Sequence, residues 1–252
     1  MKTFAIAAAL LSVSAPALAD SASLFRDGKF AEAAQAGAKE ATPEAQVAAA
    51  RALLALAAFR TADKARAVAL CNEAAARADA ALAQKPGWGP AILQKGIALG
   101  YVAKLERSQG KGKAARKWMD DARTAMPQDA LAWAALGGWH GEAVATLGGF
   151  LASAALGAKK AEAIKAFDTA LTKPGAGAVV PTYYAFTLLS LDAGNAARAQ
   201  ALLSQATRAT PADAFEALLK RHAEQVLPLL QKKDVAGARA LAKRLQPFGT
   251  LM

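Results

Sequence analysis

Residues 181–211 read PTYYAFTLLSLDAGNAARAQALLSQATRATP. Bulky Tyr183 and Phe186 sit in a first apolar segment and Gly194 marks a break. Ala199, Leu203 and Ala206 then space a second segment that closes at Pro211. The pattern predicts a helical hairpin in which small residues let two backbones approach, while aromatic and leucine side chains fill the gaps to the next hairpin. One hairpin cannot bury its apolar face alone, so neighbours have to stack and share a core.

Those neighbours are visible on both sides. Pro43, Pro86, Pro127, Pro174, Pro211 and Pro247 recur every 36 to 47 residues, and each of the first five follows an alanine-rich amphipathic segment. A recurrence of that size is the mark of a helical-repeat array. Ala163-x3-Phe167-x2-Ala170 precedes Pro174, Ala115-x3-Met119-x2-Ala122 precedes Pro127, and Ala74-x3-Ala78-x2-Ala81 precedes Pro86. Gly28 followed by Ala33 reads as a truncated opening unit. Strong helix formers dominate throughout. The one β-branched cluster, Val179-Val180, runs straight into Pro181. The fold class expected is all-α.

With Trp133-x2-Leu136-Gly137-x2-His140 on a first helix, these residues resemble the tetratricopeptide repeat. The resemblance implies a right-handed α-solenoid of antiparallel helix pairs over residues 20–213, with a C-terminal helix pair over 214–252 packing on the array. A narrower likeness concerns the central repeat. Leu136-Gly137-Gly138-Trp139, Glu142-Ala143 and Ala163-x3-Phe167 are similar to the regulators of microtubule dynamics. Trp133 and Ala163 lie nearly twice as far apart as in the standard repeat, which corresponds to about four extra helical turns. The microtubule activity itself does not carry over to an exported protein, so this likeness implies adaptor character alone.

The first residues read as an export signal. Lys2 supplies a positive start, Phe4 to Val13 an apolar run and Ala17-Leu18-Ala19 a small-x-small cleavage site. That order predicts a signal peptide over residues 1–19, removed after Ala19, and a periplasmic protein with no integral membrane span after cleavage. The net charge of +11 favours contact with anionic surfaces, either lipid headgroups or envelope polymers. Cys71 is the sole cysteine, which excludes an intramolecular disulfide, and its setting reads as a small core residue.

Catalytic groups are scarce. His140 occupies a place where the repeat packs a tyrosine, and His222 falls in the basic run Lys220-Arg221-His222, which reads as solvated. Neither has a metal-ligand neighbour, so neither a metal nor a cofactor is expected. Gly110-Lys111-Gly112-Lys113 lacks phosphate-loop spacing and has Ala114 where the hydroxyl residue would stand, so it reads as a flexible turn. Around that turn Lys104, Arg107, Lys111, Lys113, Arg116 and Lys117 form a basic patch against Glu106. Without interleaved aromatics it does not suit nucleic acid. Ala143 to Ala158 carry no charge and read as a helix buried on all sides, with membrane association as the alternative.

The resulting expectation is a non-catalytic adaptor or scaffold holding a protein or peptide in a concave groove. Offsets carried over from the repeat family place Ile97, Tyr101, Glu142, Tyr184, Leu188 and Asp192 along that groove, with Tyr101 and Tyr184 as anchors. The chain's own C-terminal helices are the competing occupant. Two alternatives remain at this level: a helical envelope enzyme using His140 and Glu142, and a binder of anionic surfaces through the basic turn.

Overall fold

The computed structural model describes residues 20–251, so the leader read at 1–19 lies outside the described residues. Among the described residues thirteen α-helices follow one another: α1 Ser21–Arg26, α2 Phe30–Glu40, α3 Pro43–Phe59, α4 Lys64–Gln84, α5 Gly89–Glu106, α6 Gln109–Ala125, α7 Ala130–Leu147, α8 Gly149–Leu156, α9 Lys160–Leu171, α10 Val179–Leu191, α11 Ala196–Arg208, α12 Ala214–Gln231 and α13 Val235–Leu245. Among the described residues there is no strand. The helices form a solenoid of pairs: α1 with α2, α3 with α4, α5 with α6, α7 with α9, α10 with α11, and α12 with α13.

Local chemistry explains the boundaries. Asp20, Thr42, Asp63, Ser108, Asp129, Asp213 and Asp234 each accept a backbone N–H three residues on, satisfying a donor that the first helical turn leaves free. Pro43 stands at the first position of α3, where no N–H is needed. Pro86, Pro127, Pro174 and Pro211 all fall between one pair and the next. The proline spacing thus marks pair boundaries.

The first helices of successive pairs, α3, α5, α7, α10 and α12, touch in sequence and make the inner face. Small residues set their approach to the outer helices. A Cβ on Gly137 would stand 2.7 Å from Cδ2 of Phe167, so α7 and α9 meet at contact distance only because residue 137 has no side chain. Phe167 in turn stacks on Tyr184 of α10, with centroids 4.8 Å apart.

Two expectations about the centre of the chain need correction. The long spacing between Trp133 and Ala163 does not lengthen the helix pair. It holds a separate short helix, α8, inserted after α7 where Gly148 adopts φ +78. The uncharged stretch 143–158 is therefore not buried on all sides. Ala152 and Ala158 are buried, but Leu147, Phe150 and Leu151 are 40%, 84% and 57% exposed, because the glycine break turns the chain outward past the end of α7. Gly110 to Lys113 are likewise not a turn. They lie in the first turn of α6 behind the Ser108 cap, and the chain reverses at Arg107, whose φ is +56.

Candidate functional site

The inner face carries the residues expected to bind a partner, and the protein's own C-terminus lies on it. After α13 the chain turns at Gln246, whose side-chain amide donates to the Phe186 carbonyl and to Ser190 Oγ on α10. Pro247 then accepts a hydrogen bond from Lys104 Nζ of α5 at 3.2 Å. Phe248 donates its backbone N–H to the Ala58 carbonyl in the last turn of α3 at 3.1 Å. Its ring is fully buried in the core shared by α3 and α5. To reach that position Phe248 adopts φ +64, which costs a non-glycine residue about 1 kcal/mol or more.

This arrangement corrects the open groove. Tyr101 is covered by Phe248, and Ile97 is partly buried in the packing between pairs. Tyr184 and Leu188 are fully buried, because α10 is wrapped by α7, α9, α11, α12 and α13, so neither offers surface to a partner in this arrangement. The Tyr184 hydroxyl donates to Asp168 Oδ1 at 2.9 Å, and burial raises its pKa. Glu142 is half-exposed and pairs with Lys104 at 3.1 Å. Asp192 is exposed, accepts the Gly194 N–H and pairs with Lys160; the backbone donor is the main reason its carboxyl stays below the usual range.

Beside these, Tyr183 Oη is buried with no hydrogen-bond partner of good geometry, although the Tyr101 hydroxyl lies close enough to affect its titration. Burial is the first cause that pushes both phenols up.

The basic patch divides into bound and unbound charges. Lys104 is spoken for by Glu142 and Pro247, Lys111 by Glu106, and Lys117 by Asp121. Arg116 pairs with Asp120 and donates to the carbonyls of Leu156 and Gly157 at the end of α8. Among the described residues only Arg107 and Lys113 of the six make no ion pair, and both are exposed.

His140 and Glu142 do not converge. Two residues apart on a helix, they point to different sides. His140 is buried against Trp139 and accepts the Lys159 N–H at Nδ1, whereas Glu142 faces Lys104. His222 is buried rather than solvated, packed on Phe59, with Nδ1 lacking a partner. Burial lowers both imidazoles to about 4, so they are neutral bases held inside the fold. His222 lines a depression of about 160 Å³ with Phe59, Arg60 and Arg244. A second, of about 260 Å³, lies between Phe25, Arg51 and Asp213. Both are smaller than the roughly 300–1,000 Å³ of ordinary ligand pockets. Among the described residues no group of three metal-ligating side chains comes together.

The stacked pairs and their inner face define a tetratricopeptide-like helical-repeat fold. Neither a family model nor a curated protein matches the chain. Among solved structures it is similar to a thermophilic TPR protein from Thermus thermophilus, with a TM-score of 0.55 and 20% identity over 79% of this chain and 92% of that one.

Sequence reasoning did not find Phe248 or the exposed Phe150 and Leu151. A lone aromatic after Pro247 was the one signal for the former. The uncharged run interrupted by Gly148-Gly149 was the signal for the latter, and it was read as burial.

Proposed function

We propose that the protein is an exported, non-catalytic adaptor of the bacterial periplasm that holds an extended protein or peptide segment on its inner face. The observation that carries this reading is the C-terminal segment itself. Residues 246–251 lie across α3, α5 and α10 much as a peptide ligand would, with one buried aromatic anchor, one backbone hydrogen bond to Ala58 and one lysine on a carbonyl. A partner of similar chemistry, an aromatic residue following a proline, would take the place of this segment. The likeness of the central repeat to the regulators of microtubule dynamics adds adaptor character and nothing about microtubules. Export rests on the three-part leader, and intact mass of the mature protein should show residues 1–19 removed.

The direct test uses the chain shortened after Gln246 and a labelled synthetic peptide of residues 243–252. Saturable binding in trans, lost when the peptide carries Ala in place of Phe248, is the expected result. Absence of binding at about 1 mM peptide, a level corresponding to only about 4 kcal/mol, would count against a peptide-binding inner face.

A further inference from the structure

The corner between α7 and α8 places apolar side chains in water where no repeat contact needs them. Phe150 is 84% exposed and Leu151 57%, and Leu147 at the end of α7 adds a third large side chain at 40%. No charged residue occurs from Ala143 to Ala158. Nothing approaches Gly148 or Gly149 within 4 Å of a Cβ position, so the corner projects outward and is convex. The far end of α8 is tied to α6 by one guanidinium and one amide. Arg116 donates to the carbonyls of Leu156 and Gly157, Gln109 donates to that of Ala155, and Gly112 lies beside Leu156. Lys113 follows on the same helix, unpaired and exposed, and Lys159 stands exposed just past α8. An eight-residue helix is about 12 Å long, so the apolar tip and its basic rim fit within one small patch.

We infer that this corner docks the protein on an anionic lipid bilayer, with Phe150 and Leu151 entering the interface and Lys113 and Lys159 meeting the headgroups. The shape selects lipid over protein. A stable protein contact needs about 800 Å² from each partner, usually around a central pocket, and a convex tip of three side chains offers neither. An interface accepts such a tip when no charge has to be desolvated, and the strongly basic net charge adds long-range attraction to acidic headgroups. No helix among the described residues is long and apolar enough to cross a membrane, so the contact is peripheral. It is independent of the inner face and of any peptide held there.

The test compares vesicles of phosphatidylcholine alone with vesicles containing about one-third phosphatidylglycerol. Wild-type protein should sediment with the acidic vesicles and release as salt rises. A Phe150→Cys variant carrying an environment-sensitive dye should blue-shift on those vesicles only. Labelling selects position 150 because Cys71 is buried and its thiol is pushed up to about 12. The double variant Phe150→Asp with Leu151→Asp alters surface side chains, and its thermal transition should match wild type. Its vesicle partition should fall about tenfold or more. Lys113→Glu should weaken binding while leaving the dye shift at saturation intact. The inference is overturned if wild-type protein ignores acidic vesicles, if the double aspartate variant binds as well as wild type, or if sedimentation equilibrium shows a dimer that the same variant dissolves. In that last case the corner is covered by a second copy of the chain.

Discussion

The ring of Phe248 meets that of Tyr101 edge-on, with 5.0 Å between centroids and an interplanar angle of 84°. The contact joins the last residues of the chain to the third helix pair, and it places a strained backbone conformation inside a packed core. Replacing Phe248 by Ala should cost about 3–5 kcal/mol, the usual loss for a buried phenylalanine. Urea unfolding at neutral pH measures it directly. A loss well under 1 kcal/mol would mean that the tail is not held on the inner face.

Neighbouring glycines on α7 should respond in opposite ways. Gly137→Leu drives a side chain into the Phe167 ring and should destabilise by about 1–3 kcal/mol. At Gly138 the nearest atom to an added Cβ is Phe167 Cζ at 4.0 Å, an ordinary contact. Gly138→Ala should therefore be neutral or stabilise by up to about 1 kcal/mol, since alanine favours the helix. The pair of midpoints tests the packing of α7 on α9 with the helix propensity accounted for.

The two buried histidines make stability depend on pH. Both have folded values near 4 against about 6.5 in an unfolded chain. Between those values the unfolded chain takes up protons that the folded one refuses, so stability falls as pH drops from 6.5 toward 4, with no histidine contribution to the slope well above 6.5. His222→Leu removes one of the two contributions, and it also removes a buried nitrogen without a partner. Its unfolding midpoint should vary less with pH than that of wild type across this window.

Cys71 should be chemically silent in the native state. Its thiol is buried in α4 and burial alone raises its pKa to about 12, so almost no thiolate exists at neutral pH. A thiol reagent should react only after denaturant is added. Rapid native reaction would place Cys71 at the surface and unsettle the packing of α4 on α3 and α5.

The repeat architecture was legible because its determinants are local: small residues at fixed spacing and a proline at each pair boundary. The inner face was not, because its state depends on contacts that a local pattern does not carry, among them that of Phe248 with Tyr101, far apart in the sequence. Tyr184 reads as an anchor by its offset, yet it stacks on Phe167 of α9, with its hydroxyl on Asp168 and Arg198 of α11 over its ring. Tyr101 reads as open, yet Phe248 covers it. The stretch 143–158 shows how an uncharged run without a clear period fits two opposite outcomes, burial or protrusion. The deciding residues were Gly148, which ends α7 and sends the chain outward, and Gly149, which opens α8.

The two ends of the array meet. Arg51 of α3 pairs with Asp213, the cap of α12, at 3.3 Å and lies over the Phe25 ring, while a Cβ on Gly28 would stand 2.9 Å from that of Ala214. In an open solenoid each unit answers only to its neighbours, so units can be added or lost and unfolding can start at either end. Here the seam between the first pair and the last counts the units. One pair more or fewer would carry Asp213 away from Arg51 and Phe248 away from Ala58, so the number of repeats is itself part of what the sequence must conserve to remain folded.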